Sequence, residues 1–188
     1  MKPAEYGLVV VVAILLGLGI YRASHPESAV SSKPASSETK ALPKQSWSYS
    51  QHTDEMTGQV SKTACLSSQN KLEFSPPYDG GSTGTLCFSK GATTMPDDIS
   101  FQIDKGQILC SQGCHVYLKV DNVLLYPETA IPPSDGSSNL IFFQSVGFKD
   151  KMLAKVRGAK VVMLQVEYFR EGSQVLTFEP DKPLDPSW

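Results

Sequence analysis

Gly106-Gln-Ile-Leu-Cys110-Ser-Gln-Gly-Cys114-His-Val-Tyr-Leu-Lys-Val120 is the stretch on which the reading of the fold turns. Val116, Leu118 and Val120 recur with period two, the signature of a half-buried strand. Three residues separate the cysteines, and the third is Gly113, which reaches at low cost the positive φ that ends a three-residue hairpin loop. The expectation is a hairpin, with Gln107 to Cys110 paired to Cys114 to Val120 and the two cysteines opposite one another. Opposed antiparallel residues have Cα atoms about 4.5–5.5 Å apart, a separation that a disulfide spans. Because the closed loop is so small, the chain-entropy gain is about 2 kcal/mol.

Working outward, the same alternation runs through most of the chain from Trp47 onward. Strands are expected to start at Trp47-Ser-Tyr49 and to cover Val60 to Ser68, Lys71 to Phe74, Thr85 to Lys90 and Ile99 to Ile103. Leu140 to Phe143, Lys160 to Arg170 and Gln174 to Glu179 follow, the last two joined through Glu171-Gly172-Ser173. Turn residues every 8–12 positions mark an antiparallel β-sandwich or partly open barrel. Only Phe148 to Val156 breaks the period. Phe148, Met152, Leu153 and Val156 share one helical face and Gly158 follows, so one short amphipathic helix is expected there. Trp47, Tyr49, Phe101, Phe142 and Phe169 alternate with polar residues and read as core.

Cys65 and Cys87 fall in two separate expected strands. If those strands pair or face each other, a second disulfide follows, worth about 3 kcal/mol; otherwise they are buried thiols acting as small hydrophobes. Cys110 and Cys114 carry rival readings too. Cys110-x-x-x-Cys114-His115 is one residue longer than a haem attachment signal. A redox pair would stand as C-x-x-C at a helix N-terminus, where its thiol pKa falls. Zinc needs four ligands, and Cys65, Cys87 or His115 do not supply them at a supporting spacing. Structural disulfides, Cys110 with Cys114 and Cys65 with Cys87, are the main expectation.

Upstream, Gly7 to Ile20 reads GLVVVVAILLGLGI without a polar residue. A helix of those 14 residues spans about 21 Å, short of the roughly 30 Å hydrocarbon core. Length alone suits a signal-peptide h-region. The small residues a signal peptidase wants appear only at Ala29 and Ser31, well downstream, while Tyr6, Tyr21 and Arg22 suit the two membrane interfaces. The expectation is an uncleaved signal anchor over residues 1–22. No cysteine follows the run, which removes a lipoprotein. Residues 23–46, ASHPESAVSSKPASSETKALPKQS, form a Ser/Pro-rich tether with a reach of roughly 27 Å. An extracytoplasmic β domain over 47–180 and a tail over 181–188 complete the organisation. Cysteine usage places that domain outside the cytoplasm, which in a bacterium is the periplasmic side of the inner membrane.

The formal net charge is −2 and no Lys/Arg cluster forms a basic face, so nucleic acid is not an expected partner. No G-x-S-x-G, H-E-x-x-H or phosphate-binding loop occurs. Only three histidines exist, His25, His52 and His115. Asp54-Glu55 and Asp97-Asp98 sit in turn-like contexts and read as solvated turn residues. Pro76-Pro77-Tyr78-Asp79-Gly80-Gly81 reads as a plain connection. No pattern asks for a cofactor or a metal.

Taken together, Trp47-x-Tyr49, Asp54-x-Met56, Pro77-Tyr78-x-Gly80, Gly106-Gln107-x-x-Cys110, Cys114, Asp121, Tyr168-Phe169-x-Glu171-Gly172 and Phe178 form a spaced pattern. It resembles a family of uncharacterised small bacterial envelope β domains, and it covers Trp47 to Phe178. The resemblance implies a secreted or anchored β domain with a cysteine pair in a hairpin, and it brings no activity. The Cys65/Cys87 pair and His115 depart from the pattern. The function expected is a non-catalytic interaction or accessory module with an envelope protein partner. The alternative is a thiol-redox or metal- or haem-binding protein using Cys110 and Cys114.

Overall fold

A computed structural model describes residues 43–91, 98–144 and 146–188. The expected anchor (1–22) and all but the last residues of the expected tether lie outside them.

The alternating segments form β1 (Ser48–Thr53), β2 (Val60–Ser67), β3 (Gly84–Lys90), β4 (Asp98–Ile103), β5 (Cys114–Val120), β6 (Val123–Ile131), β7 (Leu140–Phe143), β8 (Val162–Tyr168) and β9 (Gly172–Phe178). The helix α1 (Val146–Val156) lies between β7 and β8. Every ladder is antiparallel. All nine strands belong to one sheet, in the order β1-β2-β3-β4-β7-β6-β5-β8-β9.

That sheet folds over on itself like a sandwich. One layer is β1, β2, β3, β4 and β7; the other is β6, β5, β8 and β9. The junction between them is narrow, with only Ala130↔Phe143 and Ile131↔Phe142 in register. Leu66, Leu86, Phe88, Phe101 and Ile103 point inward from the first layer, and Val116, Leu118, Leu164, Leu176 and Phe178 from the second. The layers approach so closely at Gly84 that a Cβ there would run into Leu176 Cδ1 and the Phe101 ring. Glycine is required at that position because two layers meet over it.

The sheet does not close into a barrel. Its two ends approach only beyond β1 and β9, where Gln45 N donates to Glu179 O and Asp181 N donates to Gln45 O, each at 2.9 Å. Residues 181–188, read from the sequence as a tail, pack onto the domain: Leu184 and Trp188 are buried. In α1, Met152 and Val156 are buried and Leu153 half-buried, the apolar stripe the spacing predicted, and Gly158 follows its end.

Three expectations need correction. Lys71 to Phe74 is not a strand; Leu72 makes an isolated bridge to Ser82, and Leu72 and Phe74 are buried anchors of a loop. β6 went unread because Pro127 stands inside it. The register shows why proline fits: Val116 opposes Glu128 and Leu118 opposes Leu125, so Tyr126 and Pro127 together face Tyr117 in a bulge. On the other side β6 meets β7 only at Ala130 and Ile131, and no ladder needs the missing N–H. Finally, Tyr49 and Phe169 are not core. They are 48% and 47% exposed, whereas Trp47 and Phe101 are buried as expected and Phe142 is half-buried.

Candidate functional site

Each cysteine pair stands at disulfide distance. Cys110 and Cys114 sulfurs are 2.06 Å apart with Cα atoms 4.8 Å apart, and those of Cys65 and Cys87 are 2.08 Å apart. No described cysteine is free. The hairpin reading of the first pair is right about the turn and wrong about the ladder. Gly113 has φ +90° and its N–H donates to Cys110 O at 3.1 Å, so the loop is as tight as the spacing implied. β5, however, pairs with β6 and β8 rather than with Gln107 to Cys110.

That preceding segment runs beside the end of β8 instead. Leu109 N donates to Glu167 O and Phe169 N donates to Gln107 O, both at 2.9 Å. β5 leaves β8 after Tyr117↔Gln165, and Gln107 to Leu109 fills the row it vacates. The cysteine loop is the pivot between those two positions. Cys110 is buried at 3% exposure. Cys114 is half-buried and lines a groove of about 440 Å³ with Leu109, His115, Tyr117, Glu167 and Ser173.

Cys65 and Cys87 are opposed in the β2–β3 ladder on the face away from the core, since their neighbours Ala64, Leu66, Leu86 and Phe88 are buried. Around them the outer face carries hydroxyls: Ser48 is opposite Cys65 and Ser100 opposite Cys87, and Thr63 Oγ1 lies 3.1 Å from Ser89 Oγ. The bridge is a cross-strand tie on a water-facing surface.

The outer face of the second layer differs. Registers put Leu124, Lys119 and Met163 in one row and Tyr117, Gln165 and Val175 in the next. Leu124 is 64% exposed, Tyr117 45% and Val175 36%. With Met163 they line a shallow cavity of about 140 Å³. The Lys119 ammonium and the Gln165 amide punctuate an otherwise apolar strip. Sequence reasoning missed it because its members lie in three strands and only their register unites them.

The remaining candidates resolve into structural roles. Asp54 Oδ1 accepts from Met56 N, Thr57 N and Thr57 Oγ1 at 2.6–3.0 Å, which holds the β1–β2 turn. The Thr57 hydrogen bonds lower the Asp54 pKa below its ordinary value. Asp98 pairs with Lys149 at 2.8 Å; Asp97 lies outside the described residues. In the Pro76–Gly81 loop Tyr78 packs on the core and Lys105 Nζ donates to Asp79 O at 3.0 Å, so the loop is a braced connection. His52 and His115 are exposed on β1 and β5. Among the described residues no three His, Cys, Asp or Glu side chains gather as metal ligands. Among the described residues the buried Tyr168 hydroxyl has no hydrogen-bond partner, and burial raises its pKa.

Comparison with family models, with curated proteins and with solved structures finds no match. The resemblance noted above therefore rests on the residues alone. In the structure many of those residues serve the fold, while Tyr49, Met56 and Phe169 are exposed. Trp47, Tyr168 and Phe178 are core. Gly106, at φ +104°, lies where a Cβ would strike the Phe74 ring. Asp121 Oδ1 accepts from Lys160 N and Val161 N at 2.9 and 3.0 Å and so pins the start of β8. Much of the pattern encodes turns and packing.

Proposed function

We propose that this chain is a membrane-tethered, extracytoplasmic β domain that works as a non-catalytic interaction module of the bacterial envelope. Its docking face for an envelope protein is the outer surface of β5, β6, β8 and β9. The observation that carries this reading is the strip of Tyr117, Leu124, Met163 and Val175, apolar side chains brought side by side on a water-facing sheet surface. Scattered exposed hydrophobics are ordinary, but a contiguous patch rimmed by polar groups marks contact surfaces. Burying it against a partner releases about 25 cal/mol for each Å² of apolar area.

The test compares the two faces in the living envelope. A photo-crosslinking residue replaces Leu124 in one full-length variant and Gln102, exposed on the outer face of β4, in another. The reading expects a discrete protein adduct from position 124 and none from position 102. Adducts from neither position, or equally from both, overturn it.

A second reading is favoured by one observation: Cys114 lines an open groove while Cys110 is buried behind it. An attacking thiolate would meet the Cys114 sulfur first, form a mixed disulfide there, and release Cys110 as the leaving thiolate. Intact mass after alkylation of the native protein decides it. Protection of all four cysteines in every preparation removes the redox reading, and a free or adducted Cys110 or Cys114 supports it.

A further inference from the structure

An open antiparallel sheet has two edges, and this molecule treats its two differently. On β9 the outward groups of the C-terminal half are occupied. Gln69 N donates to Thr177 O at 2.7 Å. The Asn70 side chain completes the cover, accepting from Thr177 N at 2.7 Å and donating to Val175 O at 3.0 Å. The loop after β2 therefore seals the β9 edge from Val175 to Thr177.

The β1 edge has no such cover. Asp54 N donates to Gln59 O, so by the alternation of antiparallel ladders His52, Ser50 and Ser48 bond toward β2. The N–H and C=O groups of Tyr49, Gln51 and Thr53 consequently point outward, and no described residue bonds them. All six residues of β1 are exposed. Ser48-Tyr-Ser-Gln-His-Thr53 contains no Lys, Arg, Asp, Glu or Pro, and its register with β2 is unbroken over six pairs. Inward charges, prolines and bulges are the devices that keep an exposed edge from pairing, and β1 carries none of them.

We propose that β1 is a strand-pairing edge whose occupant is the β1 of a second copy of this chain. Antiparallel pairing about a twofold axis through Gln51 sets Gln51 against its symmetry mate and Tyr49 against Thr53 of the other copy. Those three pairs each exchange two main-chain hydrogen bonds. On the outer face Ser50 meets His52 and Ser48 meets Asp54, so no like charges oppose. A segment that is uncharged and self-complementary under a twofold axis fits the commonest symmetry of homo-oligomers. The junction is small, and small interfaces are weak in dilute solution. The proposal stands independently of the docking face assigned above, which lies on the other layer.

The experiment is sedimentation of the full-length chain in detergent over a wide concentration range, with hydrogen exchange at the low and high ends. A reversible dimer is expected, with the Gln51 and Thr53 amides slowing as concentration rises. Gln51→Pro removes an outward N–H, and Gln51→Lys sets two ammonium groups at the axis; each is expected to weaken the dimer at least tenfold. Gln51→Lys keeps every β1 amide, which guards against a proline variant that fails to fold. Leu124→Asp leaves the dimer intact. A monomer throughout, a dimer indifferent to both Gln51 variants, or a dimer lost in Leu124→Asp overturns the proposal.

Discussion

The two layers share one core and present opposite surfaces to water. Outside β2 and β3 lie Thr63, Ser89 and the Cys65–Cys87 bridge; outside β5, β6 and β8 lie Tyr117, Leu124 and Met163. In each, alternation sends every second residue inward, so the core requirement is met equally well. The difference teaches that the outward positions are where the two layers diverge in chemistry. The hydroxyl face is polar and tied across its strands. The apolar face keeps a standing cost that a partner would relieve.

The largest effect should come from the shared core. Phe101, fully buried beneath Gly84, when changed to Ala should cost about 4 kcal/mol. Phe169→Ala, at an exposed site of the second layer, should fall within about 0.5 kcal/mol. Urea denaturation of both variants measures the contrast, and equal losses would break the two-layer account.

Next come the cysteine pairs. Replacing Cys65 and Cys87 together with Ala should cost about 3 kcal/mol, and replacing Cys110 and Cys114 about 2 kcal/mol, because the first pair closes the longer loop. Thermal unfolding that ranks the second pair as more important would show that the pivot beside β8 matters beyond loop closure.

Smaller, and of opposite sign, is the response at Tyr168. Its hydroxyl is buried and pairs with no described residue, so Tyr168→Phe should raise stability by about 1 kcal/mol, read as a higher Tm. A loss instead would reveal a partner for that oxygen in the second layer.

The smallest effect is with pH. Asp54, Asp135 and Asp185 have carboxyl pKa values held below the ordinary 3.8, chiefly by hydrogen bonds from Thr57, Ser137 and Ser187. A lowered folded-state pKa adds stability above the unfolded value, and that stability disappears as pH falls through the folded value. Unfolding midpoints should therefore be flat from neutrality to about pH 4 and decline below it. Asp54→Asn should flatten part of that decline, as judged by titration of the variant.

Much of this was legible in the chain itself. Period-two alternation located the start of β1 and β2, β3, β4, β5, β7, β8 and β9, and the 3.6-residue spacing of Met152 and Val156 located α1. Gly113 announced a tight cysteine loop. These are local signals, written in side chains a few residues apart. Three things were not local. Pro127 hid β6, since proline argues against a strand until a bulge and an unpaired side are known to receive it. Gln107 to Leu109 looked like the partner of β5, because sequence neighbours usually pair, and only the competition for the β8 edge moved it. The candidate site was illegible for the same reason: Tyr117, Leu124, Met163 and Val175 are meaningless singly. By itself, then, the sequence determined most of the strands and which side of them would be apolar, since those depend on backbone geometry and hydrophobicity alone. Tertiary structure decided which strands lie side by side, which edge is sealed and which face is apolar, because register is set by long-range hydrogen bonds that no local pattern records.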